Sequence, residues 1–208
     1  KTQLLGPINQ GWKVSTTTLM YERHSSGARN PIGQVLALVA SLGVTVAGCG
    51  QVAMIQARMA LKDGHTSYQQ QDYRGAVEAY EKAILADPTQ TEAFFYLGNS
   101  YDNQFRPTRR GEPANDLLLE KAVENYKKAA ELEQNPQLKR LALQYLANAF
   151  GSDKLNDPAQ SEPVVLQLIQ MDPKESVNYF ALSRIYEDSG DYENAESTLV
   201  KAREMNPT

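Results

Sequence analysis

The sequence has few of the residues on which metal centres and enzyme active sites depend. Only one cysteine and two histidines occur among 208 residues, which excludes an internal disulfide and a cysteine-rich zinc site. Neither His24 nor His65 belongs to a catalytic or metal-binding motif, and the chain has no Gly-rich phosphate loop, HExxH or nucleophile elbow. We therefore expect no enzyme activity, no metal site and no cofactor.

Charge is unevenly distributed along the chain. The formal net charge is −4, but residues 1–48 carry four basic and one acidic side chain, whereas residues 49–208 carry 17 basic and 24 acidic side chains. Nucleic-acid binding depends mainly on lysine and arginine contacts to phosphates. An acidic body therefore argues against a nucleic-acid partner, and no motif indicates a small-molecule substrate.

The first 48 residues differ in pattern from the rest. Residues 1–19 are polar and turn-prone, and we expect an upstream or disordered segment there. From Met20, a short stretch with Arg23 and Arg29 precedes 13 uncharged residues, VLALVASLGVTVA, and then Gly-Cys. A basic lead, a short apolar run and small residues are typical of an export signal. Residues 20–48 are thus predicted to be a signal peptide, followed by a short tether at 49–56.

The quartet VAGC (46–49) resembles the lipobox of bacterial lipoproteins. The resemblance implies a lipid on Cys49, cleavage before it, and a location in the cell envelope facing the periplasm, with Gly50 favouring the outer membrane. Several acyl chains on one residue would suffice for stable anchoring. Two alternatives stay open: an uncleaved membrane anchor, although a span needs about 20 apolar residues, and a buried helix of a soluble protein.

A helical pattern recurs downstream. Its spacing puts two alanines and a large apolar residue on one helix face, where the small alanines let a neighbouring helix approach. A further helix is predicted before each such segment, as in 93–103 and 178–192. The three segments carry Ala76, Tyr80 and Ala83; Ala122, Tyr126 and Ala129; and Ala195, Leu199 and Ala202.

These residues resemble the tetratricopeptide repeat, a helix-turn-helix unit of 34 residues. The resemblance implies an all-α fold, a right-handed superhelical solenoid of about four repeats at 57–90, 91–136, 140–175 and 176–208. The third repeat is degenerate, with Ala147 in the usual glycine position and no alanine pair in its second helix. At least three repeats are needed to bury a continuous core, so four can form a domain.

In this family the first helices line a concave groove that binds peptides. The side chains at Leu61, Phe95 and Phe180 are equally well explained as core. The carboxylate clamp of chaperone-binding members is absent, because its positions hold Leu61, His65, Tyr96, Leu141 and Tyr145. By resemblance, the groove positions are Arg58, Leu61, His65, Tyr68, Gln69, Glu92, Phe95, Asn99, Asp102, Asn103, Leu141, Gln144, Asn148, Val177, Phe180, Arg184, Glu187 and Asp188.

An insertion separates the helices of the second repeat, at residues 106–117. Two prolines and a glycine break the helical pattern there, and Asn115 and Asp116 are predicted to cap the helix that follows. The segment either contacts an acidic partner or an anionic lipid head group, or is a solvated part of a tolerant loop. Its basic cluster consists of Arg106, Arg109 and Arg110.

Together these patterns predict a non-catalytic adaptor of the bacterial cell envelope that binds a protein or peptide partner in its groove. The alternatives are a single-pass membrane-anchored adaptor with the same groove, and a structural assembly subunit that self-associates through a terminal repeat without a capping helix.

Overall fold

The computed structural model describes the backbone of residues 31–205 and the side chains of residues 50–205. Two compact units are distinguished, Lys1–Gly43 and Val44–Thr208, and the account below concerns the second. In the described range the chain forms helices and no strands. The elements are α1 (Pro31–Gln69), α2 (Tyr73–Ala86), α3 (Thr91–Asp102), a 3-10 turn (Pro107–Arg109), α4 (Pro113–Leu132), α5 (Pro136–Ala149), α6 (Pro158–Met171), α7 (Ser176–Asp188) and α8 (Tyr192–Met205).

From α2 onwards, each helix packs against the next one in the chain, and α3 also contacts α5. Contacts between nearest neighbours are what a stack of helical repeats requires, because each unit buries its apolar face against the following unit. The all-α helical repeat fold that the sequence predicts is therefore confirmed, and the degenerate third repeat forms its helix pair, α5 and α6.

Local sequence signals explain where several helices begin. The carboxylates of Asp72 and Asp157 each accept a hydrogen bond from a backbone N–H three residues later, at 3.1 Å, and Asn135 accepts one from the Gln137 N–H at 2.9 Å. A side-chain cap of this kind stabilises a helix by about 1 kcal/mol. Gly190 has φ +78° in the turn between α7 and α8, as its place in the sequence SGDY predicts.

Two tyrosine–glycine pairs set the distance between helices of the first two repeats. Tyr80 and Tyr126 are fully buried. A Cβ atom added to Gly64 would lie 2.5 Å from the Tyr80 ring, and one added to Gly98 would lie 2.9 Å from the Tyr126 ring. Each tyrosine ring thus occupies the space that a side chain at the glycine would need. The two helices can approach closely because glycine has no side chain.

Residues 49–56, predicted to be a short tether, lie inside α1, and their role as a tether stays a prediction. One sequence prediction differs from the structure. The fourth helix does not start at an Asn115 or Asp116 cap: α4 begins earlier, at Pro113, with Glu112 in the cap position. Proline suits the first turn of a helix because its missing N–H would be unpaired there anyway.

The predicted signal peptide lies outside the part of the chain whose side chains the structure describes, and so does Cys49. Within the described part, no helix is both long and apolar enough to cross a membrane.

Candidate functional site

Aromatic rings from α1 to α5 form a continuous set of contacts. Neighbouring ring centroids lie 4.8 to 6.0 Å apart, most of them in edge-to-face geometry. Such pairs contribute about 0.5–1.5 kcal/mol beyond the burial of their area. Tyr145 is exposed, and Tyr68 and Tyr96 are half-buried, so part of the set is accessible. We call it the aromatic cluster: His65, Tyr68, Tyr73, Tyr80, Phe95, Tyr96, Tyr126 and Tyr145.

A polar network fixes one edge of the cluster. The Tyr68 hydroxyl donates to Asn99 Oδ1 at 2.5 Å, and Asn103 Nδ2 donates to the same oxygen at 2.6 Å. Burial, together with the neighbouring Tyr145, Tyr73 and Tyr96, raises the pKa of Tyr68. The phenol therefore stays a hydrogen-bond donor at neutral pH. Asn99 is only 3% exposed and orients Tyr68; whether it contacts a ligand stays a prediction.

His65 connects α1 to both neighbouring helices. Its Nδ1 atom lies 2.9 Å from the Tyr80 hydroxyl, and its Nε2 atom lies 3.6 Å from the Glu92 carboxylate. Burial is the main cause of a raised pKa at Tyr80, so the phenol keeps its proton. The His65 imidazole is thus held in place by its contacts with Tyr80 and Glu92.

Asp102 forms an ion pair that sequence reasoning did not find. Lys154 Nζ lies 2.7 Å from Asp102 Oδ1 and 2.8 Å from Oδ2, and the Tyr126 hydroxyl donates to the same carboxylate at 3.3 Å. The side chains of Asp102 and Lys154 are 9% and 16% exposed. Lys154 comes from the turn after α5, 52 residues along the chain, where no local pattern marks it as a partner.

The remaining predicted groove residues divide by exposure. Phe95 is 3% exposed and belongs to the core, which was one of its two predicted roles. Leu61 and Asn103 are half-buried. The exposed set contains Arg58, Gln69, Glu92, Leu141, Gln144, Asn148, Val177, Phe180, Arg184, Glu187 and Asp188; whether they contact a ligand stays a prediction.

Five of these groove residues converge on one cavity. It has a volume of about 320 Å³ and lies between α5, α6 and α7. Apolar side chains of α6 and α7 line it, and its polar lining comes from α5, the loop after α5, α6 and α7. The converging residues are Gln144, Asn148, Val177, Arg184 and Asp188.

The insertion is held to its own chain by hydrogen bonds. Asn115, 2% exposed, accepts from the Arg106 N–H at 2.8 Å and donates to the Arg106 and Arg109 carbonyls at 3.1 Å. Arg109 pairs with Glu112, and Arg110 donates to the Ser152 carbonyl at 3.1 Å. The basic cluster is part of an ordered loop, and its contact with an acidic partner stays a prediction.

Among the side chains of residues 50–205, no group of three or more His, Cys, Asp or Glu residues is arranged to hold a metal ion.

Models of known repeat families match two parts of the chain. A TPR repeat model matches residues 64–104, and a tetratricopeptide repeat model matches residues 177–208. No curated protein matches the chain significantly.

Two solved structures are similar in fold. One is the MamA RS-1 ArsTM double mutant, with 15% identity, a TM-score of 0.57, and coverage of 73% of this chain and 76% of that chain. The other is YrrB, a TPR protein with an unusual peptide-binding site, with 17% identity, a TM-score of 0.52, and coverage of 71% and 68%. This chain therefore carries tetratricopeptide repeats near both ends of its described region and has the all-α helical repeat fold.

Proposed function

We propose that the repeats bind a peptide segment of a partner protein along the accessible part of the aromatic cluster, without catalysis. The observation that carries this proposal is the surface formed by Tyr68, Tyr96 and Tyr145. Tyrosine offers a large rigid contact area and a polar tip, which is why it is frequent among the residues that dominate binding energy.

The polar surroundings of the cluster suit a peptide backbone. Exposed amides at Gln144 and Asn148 lie on α5, the helix that presents Tyr145, and amide side chains can both donate to and accept from main-chain groups. The similarity to YrrB supports the proposal, because that protein is a TPR protein with a peptide-binding site.

The test is peptide selection on the full chain from a random displayed library, followed by Kd measurement by fluorescence anisotropy. We expect Tyr145→Ala to weaken binding at least tenfold, about 1.4 kcal/mol, because it removes the most exposed ring of the proposed binding surface. Tyr192→Ala is the matched control: Tyr192 is 71% exposed on α8, outside the cluster. Failure to select any peptide, or equal losses in the two variants, would contradict the proposal.

We further propose that Cys49 carries a lipid that holds the protein in a bacterial envelope, with the repeats facing the periplasm. The basic lead, the uncharged run and the VAGC quartet support this. The membrane-anchored and self-associating alternatives stay predictions.

A further inference from the structure

The cavity between α5, α6 and α7 lies where the third repeat lacks a large side chain that the first two repeats have. Tyr80 in α2 lies four residues after Ala76, and Tyr126 in α4 lies four residues after Ala122. The corresponding residue of α6 is Val165, four residues after Ser161. A valine lacks the ring that closes the equivalent space in the first two repeats.

A matching change occurs on the facing helix. Gly64 and Gly98 make room for the two tyrosine rings, whereas the third repeat has Ala147 at this position. Ala147 and Val165 both line the cavity, and the Ser161 hydroxyl lies 3.4 Å from the Ala147 carbonyl oxygen. The glycine–tyrosine pair of the first two repeats has thus become an alanine–valine pair, and about 320 Å³ of space is left beside it.

The wall of this cavity contains an unpaired polar group. Asn178 is 3% exposed, and its Nδ2 atom is the one buried side-chain nitrogen or oxygen in residues 50–205 without a hydrogen-bond partner. Ala93 and Ala142 occupy the same place in α3 and α5, four residues before Leu97 and Leu146. A buried amide N–H without an acceptor lowers the stability of the fold. Asparagine at this position is therefore unfavourable unless a ligand supplies the acceptor.

We propose that the cavity binds an aromatic side chain of the bound peptide and that Asn178 Nδ2 donates a hydrogen bond to that residue's main-chain carbonyl. The ring would lie on Val165, Leu168 and Ala181, in the space that tyrosine fills in the first two repeats. Asn178 lines the cavity, and the donation requires its terminal amide to rotate so that Nδ2 faces the peptide. This inference rests on the proposed function and adds an anchor that the aromatic cluster does not contain.

The polar mouth of the cavity is consistent with a peptide that continues out of it. Asn148 of α5 and Arg184 of α7 are exposed at its edge, and both can donate to the carbonyl groups of an extended chain. The cavity therefore joins the predicted groove positions of the third and fourth repeats.

The decisive variant fills the cavity from within. Ala147→Gly combined with Val165→Tyr rebuilds the glycine–tyrosine pair of the first two repeats, so the protein is expected to fold. We expect it to lower the affinity of peptides selected on the wild-type chain at least tenfold, and to select peptides without the aromatic anchor. Unchanged affinity and unchanged selected sequences would overturn the inference.

A second variant tests the hydrogen bond alone. Asn178→Ala, which introduces the residue of the second and third repeats, is expected to weaken binding of the same peptides about fivefold while raising the thermal midpoint of the free protein. The NMR signal of the Asn178 side-chain amide, assigned by its loss in this variant, should shift when peptide is added. An amide signal that does not move would contradict the donor role.

The outcomes separate this inference from the function on which it rests. If Tyr145→Ala weakens binding and the cavity-filling variant does not, the peptide-binding surface stands and the cavity anchor is wrong. If no peptide is selected by the wild-type chain, both are wrong.

Discussion

At the scale of single residues, two glycines lie closely against buried tyrosine rings. A Cβ atom on Gly98 would lie 2.9 Å from the Tyr126 ring and 3.0 Å from the Ala122 carbonyl oxygen. The ring is fully buried and the carbonyl belongs to a helix, so neither has room to move away. Protein interiors are packed so densely that even one added methyl group changes the stability of the fold.

We therefore predict that Gly98→Ala destabilises the protein by about 1–3 kcal/mol, the usual cost of overpacking, measured by urea unfolding. The matched control is Gly50→Ala in α1, where an added Cβ meets nothing within 4 Å. This variant should be neutral or stabilising by up to about 1 kcal/mol, since alanine favours the helix. Equal effects of the two substitutions would show that the close approach at Gly98 has no energetic importance.

The fate of the predicted groove residues also belongs to this scale. The sequence predicts ligand contacts at positions 99 and 102 of α3, and these stay predictions. In the structure Asn99 accepts hydrogen bonds from Tyr68 and Asn103, and Asp102 forms an ion pair with Lys154. Sequence spacing places a residue on a helix face but does not reveal a partner 31 or 52 residues away. Arg184 and Gln144 are exposed, because no second element of the described chain covers them. Their side chains are therefore accessible to a ligand, as the groove prediction requires.

At the scale of elements, the ion pair of Asp102 and Lys154 links α3 to the turn between α5 and α6. Removing one member of a buried pair leaves an uncompensated charge. We predict that Lys154→Met lowers the free energy of unfolding by about 3 kcal/mol, measured by urea unfolding at neutral pH.

The comparison for that variant is Arg109→Met in the insertion. Arg109 and Glu112 also form an ion pair, but their side chains are 58% and 51% exposed, and exposed pairs contribute at most about 1 kcal/mol. A loss at Lys154 no larger than the loss at Arg109 would argue against a stabilising role for the buried pair.

Several helix starts follow from local sequence signals. Asp72, Asn135 and Asp157 accept hydrogen bonds from N–H groups of the helices they precede, and prolines open α5 and α6. The prediction for the start of the fourth helix was wrong. Asn115 looked like a cap, but its amide binds the backbone of Arg106 and Arg109 and closes the insertion, a role that only the folded loop makes visible.

At the scale of the whole molecule, the prediction concerns where the repeats are held. If Cys49 is a lipid attachment site, intact-mass analysis of the protein from a bacterial envelope should show a chain that begins at Cys49 and carries added acyl mass. The variant Cys49→Ala should remain unprocessed and unmodified, because the thioether needs the thiol. An unmodified wild-type chain that retains residues 20–48 would contradict the lipoprotein proposal and favour one of its two alternatives.

The sequence by itself determined the helical repeat architecture, because the spacing of alanine, glycine, leucine and tyrosine acts within one helix or between adjacent helices. The tertiary structure alone decided which polar side chains are paired with other side chains of the protein and where a cavity forms. Asn99 and Asp102 are bound by residues far along the chain, and the cavity beside Val165 forms where three helices meet. Such features depend on distances between separate elements, and periodicity carries no information about those distances.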